Sequence, residues 1–291
     1  MFKIYAEKVE QHLIKSLPSK QGLYDNLINS MEYSLLAGGK RIRPVLLLEF
    51  CRVCCGEYEK AIPFASAIEM VHTYSLIHDD LPCMDDDELR RGKPSNHIKF
   101  GEAIALLSGD ALLNLAFETM FSEEALNLVD AEIAAKAVKI LADASGSKGM
   151  IAGQVIDLES EGKDIPLEIL KEMDLKKTGA LIVAAAKMGC ILAKASEKEI
   201  NAAEKYSKNL GLAFQVVDDI LDVTSSSEVL GKKVGSDEIN SKSTYVSILG
   251  LEKSKEIALN LTEKAIDALN ELSGDTARLK ELAFSLINRK K

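Results

Sequence analysis

The chain has 291 residues, of which 47% are apolar, 28% charged and 5% aromatic, with no tryptophan. Its formal net charge of −9 argues against a nucleic-acid partner, because a polyanionic backbone needs a broad cationic surface. A phosphorylated substrate is repelled by the same overall charge, so it has to meet local cation clusters and metal ions.

The opening segment, MFKIYAEKVEQHLIK, carries acidic and polar side chains where a signal peptide needs an unbroken apolar stretch. No apolar run approaches the ~20 residues of a membrane span. A cytoplasmic chain with no membrane span is expected. After the breaker Leu17-Pro18-Ser19 comes Gly38-Gly39-Lys40-Arg41-Ile42-Arg43-Pro44, three cations within four residues of an acidic protein. The glycines end the preceding helix and permit close backbone approach. Lys and Arg at this spacing suit phosphate oxygens, although the stretch alone reads as a basic connecting loop. Cys51-x-x-Cys54-Cys55 lacks a second Cys or His pair at zinc-finger spacing, so these thiols, with Cys83 and Cys190, read as reduced and structural.

Residues 61–77 form an apolar segment that runs straight into DDLPCMDDDE, six carboxylates in ten positions. Crowded carboxylates repel one another, and Mg²⁺ relieves this through oxygen ligands. On an unbroken helix Asp79 and Asp85 point to different faces. Pro82 cannot donate to the His78 carbonyl, so a kink or helix end is expected, which brings Asp85 back beside Asp79. His72 lies seven residues before Asp79 and shares its helical face. Arg90-Arg91 follows at once, so both signs of charge meet there, either as a surface network or as a phosphate grip.

Residues 103–117, 179–192 and 211–223 are apolar on most faces and belong in the middle of a bundle. Lys176-Lys177-Thr178-Gly179 opens the second of these. The third contains Asp218-Asp219-Ile220-Leu221-Asp222. Asp218 and Asp222 stand one turn apart on a single face, with Gln215 one turn earlier. Carboxylates inside so apolar a helix are costly unless neutralised, which favours metal ligation. Lys232 and Lys242 follow, and residues 251–272 read as an outer helix with a narrow apolar stripe. There is no period-two stretch, linker or repeat. The expectation is one all-α domain over residues 1–291, a large bundle of ten or more helices with buried central members. Two acidic clusters, each ending a central helix, imply a cavity rimmed with acid, where magnesium neutralises a diphosphate as a Lewis acid.

With these residues assembled, the chain resembles the trans-prenyltransferases, or polyprenyl diphosphate synthases, and among them the bacterial-type farnesyl diphosphate synthases. GGKRIRP, EMVHTYSLIHDDLPCMDDDELRRGKPSNH, LLSGDALL, Ala152-Gly153-Gln154, KTGAL, GLAFQVVDDILDV, GKKVGSDE and KSTY occur in family order. The resemblance implies an isoprenoid synthase-like fold, a homodimer, and magnesium-dependent head-to-tail (1'-4) condensation of isopentenyl diphosphate with allylic diphosphates (dimethylallyl, geranyl), giving mainly farnesyl diphosphate. It implies three magnesium ions, two on Asp79 and Asp85 and a third on Asp218, with Asp222 in the same set. Arg90, Lys177, Lys232 and Lys242 then grip the allylic diphosphate. Gly39, Lys40, Arg43, His72 and Arg91 hold isopentenyl diphosphate. Thr178 and Gln215 turn polar oxygens toward the allylic cation. Metal, cations and fixed dipoles stabilise the separated charges, and the departed diphosphate removes the proton.

Chain length is implied to rest on Tyr74, five residues before the first cluster, with Ser75 beside it and the Pro82-Cys83 insertion within it. Two departures from the family pattern are Ser236, where a lysine is usual, and Val246, where proline is usual. The alternatives are a geranylgeranyl (longer-chain) or geranyl diphosphate synthase and, outside this class, an HD-type metal phosphohydrolase, a terpene cyclase or an inactive helical partner subunit. The phosphohydrolase needs several histidine ligands, and only His12, His72, His78 and His97 are present.

Overall fold

The computed structural model describes residues 2–224 and 243–289. Its backbone contacts divide into two compact units, Met1–Leu48 with Glu57–Lys139, and Glu49–Gly56 with Ile140–Lys291. The chain is all-α; among the described residues the sheet is a two-residue antiparallel pair, Leu89↔Pro94 and Arg90↔Lys93.

The first unit holds helices α1 (Phe2–Ser16), α2 (Asp25–Leu35), the first part of α3 (Ile42–Cys55), α4 (Ile62–Asp79), α5 (Asn96–Phe100), α6 (Glu102–Met120), α7 (Glu123–Leu128) and the start of α8 (Ala131–Ser145). Helix α4 is its centre. Pro63 sits in the first turn, where a missing N–H costs nothing. From there Phe64, Ala65, Ala67, Ile68, Met70 and Val71 are fully buried on every face, so α4 is enclosed by α1, α2 and α6. Each large apolar side chain buried this way stabilises the unit by roughly 1.5–3 kcal/mol.

Helix α6 departs from the sequence expectation. Its buried residues, Ala105, Ser108, Leu112, Leu115, Ala116 and Thr119, form one stripe toward α4 and α2. Leu106, Leu107 and, just past the helix, Phe121 are about half exposed. The residues are apolar all round, yet only one face is covered within the chain. The stretch Glu102–Leu128 is long and apolar enough to cross a membrane by length and composition, and 39% of its most apolar window is buried.

The second unit contains α9 (Met150–Ser160), α10 (Leu167–Asp174), a π-turn (Leu175–Gly179), α11 (Ala180–Leu192), α12 (Glu197–Thr224), α13 (Tyr245–Leu249), α14 (Leu251–Ala268) and α15 (Ala277–Ile287). Helix α11 buries most of its residues, as its composition demands. Helix α14 presents Ser254, Ala258, Thr262, Ala265 and Ala268, small residues that let α12 approach closely. Full burial along α12 stops at Val217, and beyond it Ile220 and Leu221 are partly buried against the cluster of Val216, Val217 and Tyr245. All five cysteines are free thiols; the Cys54 and Cys190 sulfurs lie 3.7 Å apart.

Candidate active site

Within the first unit, α4 ends at Asp79 and the chain turns at Leu81-Pro82, as the missing proline donor requires. The backbone then folds back. The Asp85 N–H donates to the Asp79 carbonyl at 2.9 Å, and the Asp86 N–H donates to the Leu81 carbonyl at 3.2 Å. The two expected ligands are thereby held side by side in the backbone. Asp80 between them points inward, is buried, and accepts from Arg90 Nε at 2.9 Å and from its Nη2. Burial pushes the Asp80 carboxyl up even against Arg90, whereas Arg90 overcomes its own burial through Asp80 and holds its proton more tightly. The pair is ionised, because an Arg proton held this firmly is not surrendered to a carboxylate.

Arg90 and Arg91 reach this position on the hairpin of β1 (Leu89–Arg90) and β2 (Lys93–Pro94). Arg91 and Gly92 form its tip with φ of 55° and 74°, the signs a tight two-residue turn requires. A non-glycine residue held there is strained, and such strain concentrates at functional sites. Arg91 Nη1 donates to the Gly38 carbonyl, which ties the hairpin to the Gly38-Gly39 loop, where φ is 85° and 125°.

The three cations of GGKRIRP divide. Arg41 is buried and donates to Glu69 Oε1 at 2.6 Å and to the Leu35 carbonyl at 2.5 Å. It anchors the loop and is not presented to a substrate. Gly39 and Lys40 are exposed, and Arg43 is half-buried. Burial pulls the Arg43 guanidinium down to about 10, with Glu69 opposing and Arg91 adding, so it stays charged at neutral pH. His72 is pushed well below its usual range by burial and by Arg43, Arg91, Arg41 and Arg90, and is a neutral imidazole at neutral pH. Its ring is therefore a neutral hydrogen-bonding group among cations. Tyr74 is buried at 5% exposure with its ring edge-on to His78, and Ser75 beside it donates to the His72 carbonyl. Burial first and then Asp79 raise the Tyr74 hydroxyl to about 12, so it remains a neutral phenol.

In the second unit, Lys177 and Thr178 sit in the π-turn, a helix irregularity that often marks functional positions. Lys177 donates to Asp157 Oδ2 of α9 at 2.5 Å. Gly153 makes this possible, since a Cβ there would overlap the Lys177 backbone nitrogen. On α12, Asp218 is exposed and Gln215, Asp219 and Asp222 are half-buried. Arg289 donates to Asp218 Oδ1 at 2.6 Å and lies 3.9 Å over the Phe214 ring. Asp219 turns the other way and accepts the Tyr245 backbone N–H at 2.7 Å. Lys232 and Lys242 lie outside the described residues, as does Ser236.

Among the described residues no three His, Cys, Asp or Glu side chains form a metal cage. Mg²⁺ is commonly held by one or two carboxylates plus substrate phosphate oxygens. The hard oxygen donors of Asp79 with Asp85, and of Asp218 with Asp222, fit this pattern. Sequence reasoning missed Asp157 and Arg289, because each meets its partner through the fold rather than at helical spacing, and it counted Arg41 among the exposed cations.

Residues 25–282 match the polyprenyl synthetase family model. The chain is 50% identical over 273 residues to the Arabidopsis thaliana heterodimeric geranylgeranyl pyrophosphate synthase large subunit 1, chloroplastic, covering 93% of this chain and 73% of that protein. It is 45% identical over 284 residues to geranylgeranyl diphosphate synthase of Cyanophora paradoxa, covering 97% and 93%. The crystal structure of an FPP/GFPP synthase from Zymomonas mobilis superposes with a TM-score of 0.88 at 35% identity, covering 99% of this chain and 97% of that one. The chain therefore belongs to the polyprenyl synthetase family and is a prenyltransferase of isoprenoid chain elongation.

Proposed function

We propose that the chain joins isopentenyl diphosphate to allylic diphosphates head to tail and elongates them to geranylgeranyl diphosphate. Support for C20 comes from relatives that span more than nine-tenths of this chain and are named geranylgeranyl synthases. Support for the chemistry comes from one observation above all, the Asp85-to-Asp79 backbone bond, which brings two carboxylate-bearing residues together in the loop that leads into Arg90 and Arg91. Bound magnesium, three ions in this proposal, supplies Lewis-acid stabilisation of the departing diphosphate. Asp79, Asp85, Asp218 and Asp222 hold the metal. Arg90 and Lys177, with Lys232 and Lys242, bind the allylic diphosphate. Gly39, Lys40, Arg43, Arg91 and neutral His72 bind isopentenyl diphosphate. Thr178 and Gln215 orient oxygens toward the allylic cation. The half-exposed apolar face of α6 with α7, including Leu106, Leu107, Phe121, Leu126 and Leu128, is assigned to a second copy of the chain, giving a homodimer.

A C15 product is the second reading, favoured by the buried ring of Tyr74 one turn before Asp79. The test is to incubate the purified chain with Mg²⁺, dimethylallyl diphosphate and isopentenyl diphosphate and size the products. C20 is expected; a C15 end product shifts the assignment to the second reading. Release of free phosphate without elongation overturns both.

A further inference from the structure

Asp174 closes α10 immediately before the π-turn that carries Lys177 and Thr178, and it is buried at 7% exposure. Gln215 of α12 and Tyr245 of α13 come within reach of its carboxyl, and the Asp157–Lys177 pair of α9 and the π-turn acts on it electrostatically. Tyr245 is firmly placed. Its ring packs with Leu170, Val216 and Val217, and its backbone N–H is fixed on Asp219. Yet Asp174 Oδ2 and the Tyr245 hydroxyl, although within reach of each other, form no well-aligned hydrogen bond. Buried polar atoms of this kind call for an explanation in function.

Burial pushes the Asp174 carboxyl up to about 7; Asp157 adds to this, while Tyr245, Gln215 and Lys177 oppose it. The group therefore exchanges its proton with water in the neutral range, and its two states make different demands on Gln215. A carboxylate accepts only, so it draws the amide NH₂ of Gln215 and leaves the amide oxygen to face away. A neutral carboxylic acid donates its O–H to that oxygen and leaves the NH₂ facing away. Only the first orientation offers an electronegative atom to a developing cation.

We propose that Asp174 is a positioning residue for prenyl transfer, whose protonation state selects the end of the Gln215 amide that faces the reacting carbon, with the Tyr245 hydroxyl supporting the ionised form. This rests on the reading above that Gln215 faces the allylic cation.

The test is kcat for elongation from about pH 6 to about pH 8.5, at saturating magnesium and substrates, in wild type, Asp174→Asn and Tyr245→Phe. Substrate diphosphates titrate in the same range, so the quantity read is the variant-to-wild-type ratio at each pH. Asp174→Asn is expected to match wild type near pH 6 and to fall at least about tenfold behind it at pH 8. The KM for isopentenyl diphosphate should stay unchanged. Tyr245→Phe should move the wild-type midpoint upward, because the charged form loses a donor. A ¹³C titration of the wild-type Asp174 carboxyl needs no variant, and its midpoint should lie near 7. A carboxyl midpoint below about 5 overturns the inference, as do parallel profiles for Asp174→Asn and wild type. Wild type that elongates nothing at any pH removes the proposed function and this inference with it, whereas product formation with parallel profiles removes this inference alone.

Discussion

The Lys177 ammonium lies 2.5 Å from Asp157 Oδ2, across twenty residues of sequence, so this cation already has a partner within the protein. Asp157 is nearly buried, and Lys177 is three-quarters buried. The ion pair aims the ammonium as well as neutralising it.

On its proposed role, replacing Lys177 with methionine should remove a charge-assisted bond to the allylic diphosphate, which is worth about 1.5–3 kcal/mol. The expected loss in kcat/KM for the allylic substrate is roughly 10- to 150-fold. Steady-state kinetics checks this, and an unchanged value would show that Lys177 serves only Asp157.

Tyr74→Ala should open space one turn below Asp79 and lengthen the products by at least one five-carbon unit. Mass spectrometry of the extracted alcohols reads the result. If product length does not change, Tyr74 is not the floor of the chain-length pocket.

Arg289 occupies Asp218 Oδ1, so under the proposed metal role of Asp218 it would compete with the ion. The pair is half-exposed on its acidic side, so it contributes about 0.5–1 kcal/mol. Arg289→Ala should lower the Mg²⁺ concentration for half-maximal activity by roughly two- to fivefold. A magnesium requirement that rises instead would make Arg289 part of the substrate grip.

Arg41→Met should leave Glu69 buried without its cation and destabilise the protein by about 3–5 kcal/mol. The double change Arg41→Met with Glu69→Leu should recover much of that loss, because two matched apolar groups need no pairing. Denaturant melts of both variants decide the matter; no recovery in the double variant would mean that the Leu35 carbonyl, and not Glu69, is what Arg41 serves.

The helices were legible because apolar residues recur at helical spacing and proline or glycine marks the breaks. Pro82 told where α4 ends, and Asp79 with Asp85 could be paired from that break alone. Two elements were misjudged because composition records how apolar a surface is and not whether anything covers it. Helix α6 has the residues of a central helix but leaves Leu106 and Leu107 half exposed. Residues 211–223 look enclosed in sequence, yet in the fold full burial ends at Val217, with Ile220 and Leu221 partly covered beyond. Within GGKRIRP, charge pointed to three phosphate-binding cations, and only the fold reveals that Arg41 turns inward to Glu69. Asp157, Asp174 and Arg289 escaped notice because their partners are brought to them by packing.

Gly153 has a last consequence for the lysine it faces. With no Cβ between them, the backbone of α9 rests directly on the backbone of Lys177. The distance from that helix to the lysine is thus set by covalent and van der Waals radii alone, which do not change when neighbouring side chains do. Substitutions elsewhere in the surrounding apolar core can accumulate while the ammonium keeps its place. Any residue other than glycine at position 153 would shift the main chain itself, and no rotamer could take up that displacement.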